Sequence, residues 1–259
     1  MSIWNQLMIA CPLVFIAGFI DAIAGGGGLI SLPAFYMAGL PPHIAAGTNK
    51  FSVCWGTLSS ACQYIKGGYI YKKIIPVSIA FALVGSYLGA RLALYLDEMV
   101  LRWVMIVLVP VIAVVTLAKK DFLNSERQEL PAGRAQLLTA IVALVIGMYD
   151  GFFGPGTGTF LMLAFVGVIK LDAVTACGNT KVVNLTSNLT AMVTFAVSGK
   201  VLFALAVPCA FCSIAGNFLG AKLAMKRGVK IIKPIMLVVV ALLLIKLCSD
   251  LFTTAASAL

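Results

Sequence analysis

Eight long, predominantly apolar runs organise the chain, near 4–24, 43–65, 74–96, 99–118, 134–153, 173–197, 201–224 and 231–252. Each is about 20 residues, the length an α-helix needs to cross a bilayer. The runs are continuously apolar rather than alternating, which excludes a transmembrane β-barrel. Two shorter apolar pieces, about 29–39 and 158–169, sit between the first and second long runs of each half. They are too short for comfortable spans and suit broken or re-entrant helices. The pattern predicts an all-α polytopic membrane protein with about eight transmembrane helices and two short broken or re-entrant ones.

The pattern occurs twice. Gly18, Asp21, Gly25 and Gly27 match Gly147, Asp150, Gly154 and Gly156. After a two-residue insertion, Gly47 and Lys50 match Gly178 and Lys181, and Gly85–Ala93 (GSYLGARLA) matches Gly216–Ala224 (GNFLGAKLA). We divide the chain into a first transmembrane repeat at 1–118, a polar cytoplasmic connector at 119–133 and a second transmembrane repeat at 134–259.

Composition agrees. The 259 residues are 61% hydrophobic and 11% charged, against about 25% charged in a soluble domain. The net charge of +10 sorts by loop. Lys66, Lys72 and Lys73 follow the second run. Lys119, Lys120, Arg127 and Arg134 lie in or beside the connector, and Lys222, Lys226, Arg227, Lys230 and Lys233 lie between the last two runs. By the positive-inside rule these three loops are cytoplasmic and both termini are outside. The basic charge is then a topology signal, and no nucleic-acid partner is expected. The basic 66–73 loop corresponds in the repeat to the poor loop around Lys200, so the halves are expected to be inverted, as in many secondary transporters. No basic stretch precedes the first run, so no cleavable signal peptide is expected. Seven cysteines, all in apolar runs, read as small packing residues, including the Cys209/Cys212 pair. No metal or cofactor is expected.

Four ionisable side chains lie deep in the repeated apolar cores: Asp21, Lys50, Asp150 and Lys181. A charge at the bilayer centre costs about 2.5–3.5 kcal/mol on insertion scales. They either lock the halves together as Asp–Lys pairs or line a water-accessible site. Directly after each Asp, Gly25, Gly26, Gly27 and Gly28, and Gly154, Gly156, Thr157 and Gly158, break the helix. A new short helix then starts, whose first amides lack intrahelical partners and carry partial positive charge. Two such starts can cradle an anion. Gly85/Gly89 and Gly216/Gly220 read instead as helix-packing positions. Thr48 and Asn49 precede Lys50, and Asn179 and Thr180 precede Lys181. Asn184 and Asn188 share a helix face with Lys181, where they either bond to other helices or line a path. His43 reads as interfacial.

At these residues the chain resembles the TauE/SafE sulfite-exporter-like family, in the branch of probable membrane transporter proteins. The carriers are GFIDAIAGGGG with Pro33, AGTNK (Ala46–Lys50), YDGFFGPGTG (Tyr149–Gly158) and Lys181-x-x-Asn184. The resemblance implies a multi-pass protein of the bacterial cytoplasmic membrane, with two repeated halves. It also implies sulfur-containing anions such as sulfite and sulfonates as solutes.

The reading is a secondary transporter of a small anion, not an enzyme. Lys50 and Lys181 offset the charge of the anion, the two glycine breaks supply amides, and Asp21 and Asp150 bind a coupling proton or fix the lysines. A passive anion channel is the alternative, and a membrane subunit or intramembrane enzyme is remoter. The expected partners are the lipid bilayer and the small anionic solute, and homo-oligomerisation stays open.

Overall fold

The computed structural model describes residues 2–96, 130–152 and 154–239, and these hold helices and no strand. In chain order the helices are α1 (Ile3–Ala24), α2 (Gly28–Met37), α3 (Pro42–Lys66), α4 (Ile75–Tyr95), α5 (Ala132–Phe152), α6 (Thr157–Gly167), α7 (Ala173–Val197) and α8 (Phe203–Arg227). A single 3₁₀ turn at Lys72–Ile74 leads into α4. A further helix begins at 229 and is described to 239. The apolar run at 99–118, most of the connector and the end of the last run lie outside the described residues.

Local chemistry sets the boundaries. Ser2 caps α1 by accepting from Asn5 N. Pro42 opens α3, at a position where its missing N–H costs nothing. Asp172 caps α7, its Oδ1 accepting from Thr175 N at 2.9 Å. α1 ends where Gly25 and Gly26 turn to φ +76° and +82°, and α6 starts from Gly156 at φ +84°.

Among the described residues, four helices are long and apolar enough to cross a membrane on their own: α1, α4 with its preceding turn, α5 and α8. They show apolar side chains outward, among them Phe81, Leu88, Ile141, Val145, Phe211 and Leu219. α3 and α7 have 25 residues each, about 37 Å of helix. They carry most of the buried polar side chains, including Asn49, Lys50, Asn179, Lys181, Asn184 and Asn188. Enclosure by the other helices lets them stay polar.

The halves are interlocked. α1 packs on α8, and α4 on α5, so each half's first helix lies against the GxxLGA helix of the other half. The four glycines there are packing positions as expected: a β-carbon on Gly216 would lie 2.1 Å from Phe15 O, and one on Gly89 2.0 Å from Met148 O. Contacts also fix direction. Cys11 lies by Cys209, Phe15 by Gly216 and Phe19 by Gly220, so α1 and α8 run the same way. Ser52 bonds Ala206 O and Gln63 bonds Phe218 O, so α3 runs with them. α4 and α5 run together, Gly85 by Leu144 and Gly89 by Met148. α7 opposes α3, since Gly47 meets Phe195 while Gly178 meets Tyr69 just beyond the end of α3. The ends that carry basic residues gather on one face. Gln136 donates to Lys73 O, and Gly67 sits against Met225.

Candidate solute site

Both chain breaks reach the same place. A β-carbon on Gly25 would fall 2.2 Å from Gly158 C, and one on Gly28 3.1 Å from Pro155 Cα. The two glycine segments therefore cross backbone to backbone, which any side chain would prevent. Thr159 Oγ1 ties the crossing by donating to Ala24 O at 3.1 Å. Thr157 Oγ1 donates to Gly154 O at 2.6 Å and steadies the start of α6.

The buried Lys50, Asp150 and Lys181 and the half-buried Asp21 pair crosswise between the halves. Lys50 Nζ stands 2.9 Å from Asp150 Oδ1 and donates to Asn188 Oδ1 at 3.0 Å. Asp150 Oδ2 also accepts from Ser187 Oγ at 2.5 Å. Lys181 Nζ stands 2.6 Å from Asp21 Oδ2 and donates to Asp21 O as well. Asp21 Oδ1 accepts from Gly27 N at 3.3 Å, so this carboxylate holds the first break in shape. Each Lys is thus paired with the Asp of the other half.

A small cavity, open on one side, lies between the breaks. Asp21, Gly26, Gly27, Gly28, Asn49, Lys50, Asp150, Gly154, Gly156, Thr157, Gly158, Asn184 and Asn188 line it. The short helices α2 and α6 therefore both start at its wall, where the positive ends of the helix dipoles favour an anion, although Leu29 N, Ile30 N and Thr157 N already bond Gly26 O, Gly27 O and Gly154 O.

Four residues singled out from the sequence do not line it. Thr48 accepts from Leu202 N at 3.0 Å and holds the loop before α8. Asn179 Nδ2 bonds its own helix at Thr175 O. Gly25 is spent on the backbone crossing. Lys181 is 1% exposed, behind Asp21. The two charged pairs are therefore unequal: both members of Lys50–Asp150 line the cavity, but only Asp21 of the other pair does.

Sequence reasoning missed Ala17, Gly18, Val53, Thr57 and Asn217, which also line the cavity. Thr57 accepts from Asn188 Nδ2 at 3.4 Å. Asn217 stands where the first GxxLGA copy has Ser86, polar in both copies, so the pattern alone did not mark it. The side-chain oxygens of Asn49, Asn184 and Asn217 are buried without a partner among the described residues. Each such group costs about 1–3 kcal/mol unless something else meets it.

The described cysteines are free thiols. Cys209 packs against Cys11, 3.8 Å between sulfurs, rather than against Cys212. Among the described residues no cluster of His, Cys, Asp or Glu is suited to a metal ion.

Residues 10–247 match the family model described as sulfite exporter TauE/SafE. Among similar proteins is the probable membrane transporter protein YfcA of Escherichia coli, 35% identical over 96% of this chain and 95% of its own. The probable membrane transporter protein ORF9 of Sinorhizobium sp is 37% identical over 91% and 90%. A probable membrane transporter protein of Haemophilus influenzae is 34% identical over 95% and 96%. No solved structure matches.

Proposed function

The chain belongs to the sulfite exporter TauE/SafE family and is a multi-pass membrane transporter, and we propose that it is a secondary transporter whose solute is a small anion. The solute class is sulfite, a sulfonate or another organosulfur anion. One observation carries the reading: a buried lysine, Lys50, lines a cavity into which two opposed short helices present their N-terminal ends.

Lys50 is already neutralised, so an arriving anion must compete with Asp150. A proton taken up by the Asp150 carboxyl would remove that competitor and free the ammonium for the anion. Ser187 would continue to hold the protonated group. Release of the anion would let Asp150 give up its proton and close on Lys50 again. Proton and anion would then move together. Lys181 would act on the solute only indirectly, by holding Asp21 and through it the first break.

The direction of the helices supports two inverted halves. α1, α3 and α8 run one way, while α4, α5 and α7 run the other, so the first helix of each half points oppositely. The apolar runs at 99–118 and 231–252 would bring the spans to eight. The gathered basic ends of α3, α4, α5 and α8 support a cytoplasmic face there, with the start of α1 outside. Rocking of the halves about the crossed glycines would alternate access to the cavity.

Flux in proteoliposomes tests this. Purified protein is challenged with sulfite, a sulfonate, sulfate and chloride, with and without a pH gradient. We expect saturable movement of one sulfur anion, driven by the gradient and abolished in Lys50→Met. Unchanged flux in Lys50→Met overturns the role of Lys50, and rates proportional to concentration without saturation point to a channel.

A further inference from the structure

We infer that Asn217 accepts a hydrogen bond from the solute, so that the transported anion carries an O–H or N–H donor beside its charged group. This deepens the proposed function and rests on it. Asn217 is 1% exposed and lines the same cavity as Lys50 and Asp150.

Its carboxamide is held one way round. Nδ2 donates to Ser213 O at 3.1 Å. Turning the amide over would set Oδ1 against that carbonyl oxygen, acceptor against acceptor. The side chain is also wedged between α1 and α3. A β-carbon on Gly18 would come within 2.8 Å of Nδ2, and one on Gly56 within 2.5 Å. The two glycines make the room this amide occupies. Oδ1 is left as a fixed, buried acceptor with no partner among the described residues.

An anionic oxygen suits Lys50 and the helix starts, but it cannot satisfy Oδ1, because both are acceptors. A donor on the solute can. The repeat supplies a control. The equivalent position in the first half is Ser86, whose Oγ donates to Ser187 O at 2.6 Å. That residue is satisfied within the chain and does not line the cavity. Of the two copies, only the second half's residue both lines the cavity and carries a buried acceptor with no partner among the described residues.

Three sulfonates of nearly equal size separate the possibilities: 2-hydroxyethanesulfonate, 2-aminoethanesulfonate and propane-1-sulfonate. Their flux is measured in proteoliposomes of the full chain and of Asn217→Leu, with Asn217→Ala used where the leucine variant does not insert. In the unaltered protein we expect the hydroxyl or the amino compound to exceed propane-1-sulfonate by at least about tenfold in transport efficiency, as in sites built around a substrate donor. Which of the two moves identifies the donor. In the variant the preference collapses, and a melting temperature near that of the unaltered protein shows that the variant is folded. Equal rates for all three in the unaltered protein, or an equal loss for all three in both variants, overturn the inference and leave the proposed function standing. No flux of any of the three overturns the sulfonate reading and this inference with it.

Discussion

Replacing Lys50 with Met leaves the Asp150 carboxylate buried, still accepting from Ser187 Oγ but without its cation. At the 2.9 Å separation and an effective dielectric of about 20, the lost attraction is about 6 kcal/mol before desolvation is counted. Removing one member of a buried pair costs about 3–5 kcal/mol in practice. For a chain of this size that corresponds to a fall in melting temperature of roughly 6–20 °C. Asp150→Asn should cost a similar amount by stranding the lysine, softened by the bond that Lys50 keeps to Asn188. The combined variant Lys50→Met/Asp150→Asn strands no charge and should recover at least half of either single loss. Thermal unfolding of the four purified proteins in one detergent measures this, and flux in proteoliposomes below the lowest melting point completes it. The double variant should be restored in stability and still dead in transport, because the cation that meets the anion is gone. A double loss equal to the sum of the singles would refute the reasoning, since it would mean the two charges do not interact.

Gly25 and Gly68 share φ +76°, but a β-carbon on Gly25 meets Gly158 backbone at 2.2 Å while one on Gly68 meets nothing within 4 Å. Gly68→Ala should cost only the left-handed penalty of about 1–2 kcal/mol, and Gly25→Ala should fail to give folded protein; equal melting temperatures would rule out the backbone crossing. In a cysteine-free background, Ser198→Cys should react with an impermeant maleimide on intact cells and Lys66→Cys should not, and the reverse pattern would invert the assigned orientation.

Much of the fold could be read from hydrophobic run length alone. The short pieces at 29–39 and 158–169 became α2 and α6 because four-glycine and Gly-Pro-Gly-Thr-Gly stretches cannot continue a helix. Repeat matching found the two Lys and two Asp residues. It could not say that each Lys meets the Asp of the other half, since that depends on how α3 and α7 cross. Spacing on one helix misled at Thr48: two residues from Lys50 is about 200° around the helix, so the two side chains serve different neighbours. Lys181 shares a face with Asn184 and Asn188, yet its ammonium is taken up behind the wall those residues form. Asn217 stayed hidden because its role depends on gaps left by Gly18 and Gly56 on two other helices.

The crosswise charge pairs say something about how such a chain can arise. Under a twofold exchange of halves, Lys50–Asp150 and Lys181–Asp21 are a single contact made twice. A half-length ancestor with one Lys and one Asp could therefore have made both by associating with a second copy of itself inserted the other way up. What that ancestor could not have had is a one-sided cavity. Asn184 opposite Val53, Ser187 opposite Gly56 and Asn217 opposite Ser86 are differences that two identical subunits must each carry or each lack. In a single polypeptide the two copies can differ at these positions, and both still contribute residues to one cavity.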